Sequence, residues 1–415
     1  MNDPDFAKAL SLALASCVLI SCLHDSGRPD DGLVGENPPG PLRIYYDPYA
    51  QVDWTTDKAL LAQHHDHAGA SIPRLMAYDN AGYNVMPLMD YSGVPKMQSA
   101  LRQRLWPISS CVTPETIARF QNIKLLFPNA EEVGIPQRHL TSPFMTDFIE
   151  HYDGAADTDP APKYHTEEDA VDLIRSRDGL PLLAHPWYSA TEVLAGPDVF
   201  GMEIYSAYIA AKRAEGVPDF VNEDRNAKLL SNWDAALSTG RWWVGIAVND
   251  HYGPYAPADA TEPALRDSGK ILVYVHEETL ESYRDAFERG ALFAIQDKGV
   301  TKGGYPKVQS VAVGFNSVTI DAPDATAIHW IVNGDVIGTG PTLQYSILPP
   351  RSVYLRAEIL GETHVVYTQP FILRHVEDMD GDGRLSREDE MICEDLARGL
   401  IASSPELVAA CEEHP

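Results

Sequence analysis

The residues of this 415-residue chain best suited to chemistry are histidines and carboxylates that follow apolar runs. Gln63-His64-His65-Asp66-His67 offers His65-x-His67, and on an extended segment residues two apart point to the same side, as two ligands of one metal ion must. A polar loop would carry the same letters. Leu182-Leu183-Ala184-His185 places a histidine as the first polar residue after an apolar strand. The arrangement recurs at Phe127-Pro128-Asn129-Ala130-Glu131-Glu132, Arg138-His139-Leu140, Gly201-Met202-Glu203 and Val248-Asn249-Asp250-His251. Any one of these also reads as a satisfied core or surface residue. Together they put groups of metal-ligand type at strand ends, where β/α folds gather their catalytic groups.

A second constellation lies near the C-terminus. Asp378, Asp380 and Asp382 supply oxygen donors at positions 1, 3 and 5 of a calcium loop, with Gly383 at position 6 for the sharp turn. Arg384, Leu385, Ser386 and Asp389 occupy positions 7, 8, 9 and 12. Aspartate in place of the usual glutamate at position 12 resembles dockerin-type loops, and the alternative reading is a solvated acidic turn. Beyond it two short helices would bring Cys393 and Cys411 together, and a disulfide there would be worth about 3 kcal/mol by loop closure.

The elements that must position the first constellation read as β/α units between Tyr45 and Asp297. The stretch Glu167–Ile174 is helical and precedes the strand Gly179–Ala184; Arg241–Val248 is a buried strand; Ile271–Val275 is a strand followed by a helix from Glu278 to Arg289 with Gly290 as its stop. From about Pro306 the pattern changes to short strands at Lys307–Phe315, Val318–Ile320, Ile328–Val332 and Val353–Ile359, with Asn333-Gly334 as a hairpin turn. A small β-sandwich fits that pattern.

At the N-terminus no charged residue occurs from Ala9 to Cys22, an apolar stretch too short for a membrane span and of signal-peptide length. Leu19-Ile20-Ser21-Cys22 reads as a lipobox with Cys22 acylated, Cys17 being the second candidate. The Gly-, Pro- and Asp-rich segment after it suits a tether. The expected layout is a signal peptide over 1–22, a tether over 23–43, an α/β domain over 44–303, a β-sandwich over 304–375 and a calcium-binding helical tail over 376–415. Localisation follows as exported and lipid-anchored, with the membrane met only through the anchor. With 60 acidic against 32 basic residues the formal charge of −28 opposes nucleic-acid binding. No Cys-x-x-Cys pair occurs among the five cysteines, which removes zinc-finger and thioredoxin-like readings.

In order and spacing these motifs, from Tyr49–Trp54 through Gln63–His67, Ala77–Tyr83, Val85–Asp90, Ala184-His185-Pro186, Gly201-Met202-Glu203 and Gly245–His251, resemble the polymerase and histidinol phosphatase (PHP) metallohydrolases, in particular an exported branch with a trailing sandwich. The resemblance covers roughly Asp47 to Arg374. It implies an α/β fold: a distorted (β/α)7 barrel followed by a small Ig-like β-sandwich and a short α-helical calcium-binding tail. It also implies divalent transition ions, zinc, manganese or iron, held by His65, His67, Asp90, Glu131, His139, His185, Asn249 and His251. Catalytic roles fall to His65, His67, Glu131, His185, Asp250 and His251, with Glu132 the alternative bridging ligand. A metal-activated hydroxide would then attack a phosphoester, a small-molecule substrate. Tyr91 stands where the family has a histidine for a third ion, and Asn249 where it has an aspartate, unless Asp250 takes over with a shifted register. Both departures point to a two-ion site. A catalytically degenerate surface-binding protein and an amide or carboxylester hydrolase are the alternatives. Arg138 and Arg74 are candidates for a phosphate contact. Oligomeric state is not legible.

Overall fold

A computed structural model of the chain describes residues 42–67, 72–92, 113–135, 138–147, 149, 166–250, 269–297, 304–314 and 316–375. The expected leader with Cys17 and Cys22, almost all of the tether, His251 and the calcium loop with Cys393 and Cys411 lie outside the described residues. Among those described, no helix is long and apolar enough to cross a membrane. The described residues up to Arg374 form one compact unit.

The strands are β1 (Leu42–Tyr46), β2 (Lys58–Ala62), β3 (Val85–Ser92), β4 (Leu125–Ile135), β5 (Arg138–Ser142), β6 (Leu182–Ala184), β7 (Gly201–Ser206), β8 (Val244–Val248), β9 (Gly269–Val275) and β10 (Leu292–Asp297). After them come β11 (Ser310–Val313), β12 (Ser317–Asp321), β13 (Ala327–Val332), β14 (Asp335–Thr339), β15 (Thr342–Gln344), β16 (Tyr354–Leu360), β17 (His364–Thr368) and β18 (Phe371–His375). The helices between them are α1 (Ile72–Asn80), α2 (Pro114–Ile117), α3 (Glu167–Ser176), α4 (Ala190–Leu194), α5 (Ala207–Ala214), α6 (Pro218–Val221), α7 (Arg225–Leu237) and α8 (Leu280–Glu288).

Local chemistry sets the helix ends. Thr166 caps α3 in a reciprocal box with Asp169, and Ala170, Val171 and Ile174 supply its buried face. Thr279 caps α8, which therefore begins at Leu280 rather than at Glu278; Tyr283, Ala286 and Phe287 are buried, and Gly290 beyond its end takes φ +69°. Strand β8 is buried at every residue, as a strand covered on both faces must be, and its run is accordingly apolar throughout.

The main sheet runs β1-β18-β16-β17-β10-β9-β2-β3-β4-β5-β6-β7-β8. Pairs β2–β3, β3–β4, β6–β7 and β7–β8 are parallel, the product of helical crossovers. The expected β/α alternation is broken at β4–β5–β6, where both pairings are antiparallel. Glu132 and His139 therefore belong to adjacent strands joined through two residues, not to separate β/α units. The run from β9 to β8 also closes on itself through side chains. Asn249 Oδ1 accepts from the Gly269 amide at 3.0 Å, and Gln63 Nε2 donates to the Gly269 carbonyl at 2.8 Å. Gly269 lies so close to Val248 that a Cβ would meet its carbonyl oxygen at 2.2 Å, so only glycine fits.

Residues 304–375 do form short strands, of which β13, β14, β16, β17 and β18 belong to the main sheet. β17 pairs with β10 over Phe293↔Thr368 to Asp297↔His364, carrying the main sheet directly into β16 and β13. Ladder hydrogen bonds thus join β10, which precedes residue 304, to β17, which follows it. A separate three-stranded sheet, β11-β12-β15, shares one apolar cluster with the main sheet, in which Val318, Ile320 and Leu343 meet Trp330, Ile359 and Phe293. The Asn333-Gly334 turn is present, with φ +52° and +81° joining β13 to β14, the positive pair that a two-residue hairpin of this hand requires.

Candidate metal centre

Just beyond β2, alternation sorts the run 63–67 into two faces. His64 and Asp66 face outward: His64 stacks on Phe287 of α8 at 4.5 Å, with burial pushing its pKa down to about 3, and Asp66 accepts from Tyr78 of α1 at 2.6 Å. Gln63, His65 and His67 share the other face. Gln63 Oε1 accepts from the amides of His64, His65 and Asn249 at 3.1, 3.2 and 3.2 Å, tying this segment to the end of β8. The His65 carbonyl accepts from the Asp250 amide at 2.7 Å, completing the tie.

Side chains from β4 and β5 and from the residues just beyond β2, β6 and β8 then converge. His65 Nε2 and His67 Nε2 are 3.2 Å apart, and Glu132 Oε2 lies 3.5 Å from the first and 2.9 Å from the second. Asp250 Oδ1 is 3.2 Å from His65 Nε2. The second Glu132 oxygen, Oε1, lies 2.6 Å from His139 Nδ1 and 3.5 Å from His185 Nε2, while Asp250 Oδ2 is 3.9 Å from His185 Nε2. The ligand atoms of His65, His67 and Asp250, and those of Glu132, His139 and His185, each fall within 4.8 Å of one another. Glu132 joins the two triplets, one oxygen facing each.

Glu203, in the middle of β7, orients both. Its Oε1 lies 2.6 Å from His65 Nδ1 and its Oε2 accepts from the His185 amide at 2.7 Å. A carboxylate on Nδ1 holds a proton there, so that Nε2, facing His67 and Asp250, is the nitrogen that would give up its proton to an ion, the usual support for a metal-bound imidazole. His185 and Asp250 adopt φ +33° and +52°, left-handed backbone at two residues of the cluster, held there by these amide bonds.

The expected residues divide as follows. His65, His67, His139, His185 and Asp250 are brought together. Glu131 is not: on β4 adjacent side chains take opposite faces, and Glu131 Oε2 accepts from the Ile149 amide at 2.9 Å, so Glu132 is the carboxylate at the centre. Asn249 is not at the centre either. Its Nδ2 donates to Tyr78 Oη at 2.6 Å and its amide oxygen holds Gly269, which leaves the cluster position to Asp250 by the shifted register. Asp90 and Tyr91 pair in register with Glu131 and Glu132, beside the site on β3. Arg138 is matched to Glu167 and to the Tyr188 ring, 4.7 Å away, rather than turned to a ligand. Glu203 was visible only as a strand-end carboxylate; its orienting part depends on a pairing between residues 138 positions apart.

No family model matches the chain, and no curated protein matches it. A solved structure that it resembles is a two-domain protein containing a predicted PHP-like metal-dependent phosphoesterase from Bacteroides vulgatus, at 10% sequence identity and a TM-score of 0.39, over 82% of this chain and 91% of that one. Such a likeness bears on neither fold nor activity, and the chemistry rests on the cluster itself.

The donor set fits divalent transition ions. Imidazole nitrogens as close as 3.2 Å, with carboxylate oxygens beside them, form a set of donors that a cation can bind, and mixed nitrogen and oxygen donors suit zinc, manganese or iron rather than the all-oxygen shell of calcium. Burial pulls the His65 and His185 pKa values down, but the carboxylates of Glu132, Asp250 and Glu203 outweigh it and hold both above the ordinary histidine range. Burial likewise pushes Glu132 up, but His139 and His65 outweigh it and hold it well below the ordinary carboxylate range. Without ions, therefore, the folded chain gains stability from His65 and His185 below the unfolded histidine value of about 6.5 and loses it as pH rises through their raised values. Glu132 acts oppositely, losing its contribution as pH falls below about 4.5. Metal must displace the imidazole protons. Calorimetric titration with zinc or manganese in buffers of different ionisation enthalpy should show net proton release, and affinity should climb as pH rises through the raised histidine values; a buffer-independent heat would contradict the assignment.

Proposed function

We propose that this protein is a metal-dependent hydrolase acting on phosphoesters. The observation that carries the reading is Glu132, a fully buried carboxylate whose two oxygens face two separate histidine groups. His65, His67 and Asp250 would hold one ion, His139 and His185 the other, with Glu132 shared. Ions so held supply Lewis-acid polarisation of a phosphoryl oxygen and an acidified water. The chain's own part is to keep the donors fixed: Glu203 sets the His65 tautomer, Gln63 and Asn249 clamp the two segments that carry His65 and Asp250, and the buried carboxylates would repel an anionic substrate unless cations bridged it. Metal-loaded protein should hydrolyse a phosphomonoester or phosphodiester in a panel that also contains a carboxylester, and a chelator should abolish it. Hydrolysis of the carboxylester alone would transfer the reading to acyl chemistry, and metal binding without any turnover would make the chain a binding protein.

The same proposal places the protein outside the cytoplasm, acylated at Cys22, with a calcium loop at Asp378, Asp380, Asp382, Arg384, Ser386 and Asp389. Three aspartates within five residues repel one another without an ion, so calcium should raise stability. At a hundredfold excess over its dissociation constant, calcium would contribute about 2.7 kcal/mol, an increment that Asp380→Ala should remove while leaving transition-metal content alone. Coincident unfolding curves with and without a calcium-selective chelator would withdraw the loop.

A further inference from the structure

Beside the metal centre stands a cation without an anion. Arg225, the first residue of α7, holds its guanidinium carbon 4.8 Å from the Trp187 ring centroid and 4.3 Å from that of Phe220. The two rings meet edge to face at 6.3 Å. Trp187 in turn stacks on His185 at 4.6 Å and 16°. A single indole thus separates the guanidinium from an imidazole of the cluster. The placement is built from below. Asn232 of α7 donates to the carbonyls of Pro186 and Tyr188 at 2.7 and 2.9 Å, fixing the loop that carries Trp187. Asn226 bonds both backbone groups of Ser206 at 2.9 and 3.0 Å, fixing the start of α7 at the C-terminal end of β7, just beyond Glu203.

The acidic neighbours of Arg225 are already committed. Glu223 pairs with Lys228 at 2.6 Å, and Asp224 pairs with Arg213 while capping α7 through the Ala227 amide at 3.2 Å. Among the described residues Arg225 makes no ion pair and no side-chain hydrogen bond, and its Nε is buried without an acceptor. In a chain of formal charge −28 that is a notable omission, because a desolvated donor left unmade is costly and carboxylates abound. Aromatic faces hold a guanidinium by its π surface and leave its in-plane N–H groups for a ligand, a fork that matches a carboxylate or phosphate.

We propose that Arg225, caged by Trp187 and Phe220, binds a second anionic group of the substrate, a carboxylate or phosphate remote from the ester that reaches the metal centre. This rests on the phosphoester reading above and narrows it to substrates with two anionic ends. The test is a calorimetric titration of the metal-loaded full chain with two non-hydrolysable probes that share a phosphonate head: hexylphosphonate, and phosphonohexanoate, which adds a terminal carboxylate. Wild-type protein should bind the carboxylate-bearing probe about tenfold more tightly, and Arg225→Met should bring the ratio near one. Arg225→Lys keeps the charge but loses the planar fork, so its ratio should fall between, and it decides the matter if the methionine variant loses its metal. Equal affinities in the wild type, or a ratio that neither variant lowers, overturn the subsite and leave the phosphoester reading standing. If neither probe binds, the phosphoester reading falls and the subsite with it.

Discussion

Glu132→Gln should strip the protein of transition metal, whereas Glu131→Gln should leave metal content intact. Both residues are buried carboxylates on one strand; Glu132 presents its oxygens to histidines at 2.6 and 2.9 Å, while Glu131 accepts from the Ile149 amide. An amide in place of Glu132 removes the negative charge that two divalent ions would share and puts an N–H₂ donor where a lone pair is needed. Loss of a supporting partner outside the coordination shell already costs tenfold to a hundredfold in metal affinity, the effect anticipated for Glu203→Gln. Removing the shared ligand should therefore exceed about a hundredfold. Elemental analysis after metal supplementation and gel filtration separates the cases, and a Glu132→Gln protein that retains two equivalents would disprove the shared-ligand assignment.

Asp234→Ala should be the most destabilising single change outside the cluster. Asp234 on α7 receives Arg356 of β16 through both oxygens at 2.7 Å, and Tyr354 donates to Oδ1 at 2.8 Å. Arg356 is 1% exposed, pairs also with Glu358 at 2.8 Å, and lies 5.4 Å from the Trp233 ring centroid. Deleting the aspartate leaves a buried guanidinium with half its charge balance, a change that costs about 3–5 kcal/mol. Replacing both partners by apolar residues of similar volume should recover most of that loss, since the pair's own desolvation penalty then disappears. Urea denaturation of Asp234→Ala and of Asp234→Leu with Arg356→Met measures both. A double variant no more stable than the single would mean that the pair is a net source of stability.

The contrast between Glu131 and Glu132 shows where sequence reading stops. Which strand-end residues converge was legible from residue type and from the apolar runs before them, and His65, His67, His139, His185 and Asp250 meet accordingly. Which of two adjacent carboxylates faces inward depends on the phase of β4, set by its pairing with β3 and β5, and no local pattern in an apolar strand reports that phase. The Asn333-Gly334 turn was readable because its backbone demand is local. Continuity of β10 with β17 was not, since it joins residues about seventy positions apart whose apolar alternation suits a sandwich equally well. Arg225 carried no motif at all; its interest comes from the partners it lacks in space.

That continuity bears on how the chain can be cut. β10 is flanked by β9 and β17, so a fragment ending before residue 304 would bare one whole side of an interior strand whose residues Leu292 to Ile295 are fully buried in the intact chain. Open backbone donors and acceptors along such a strand template pairing with another copy. The fragment would also lose Arg356, leaving Asp234 buried and unbalanced at the far end of the helix that begins with Arg225. The segment that holds no cluster residue thereby covers the open side of β10 and balances the charge on α7, so the fragment suited to work on the centre extends through β18.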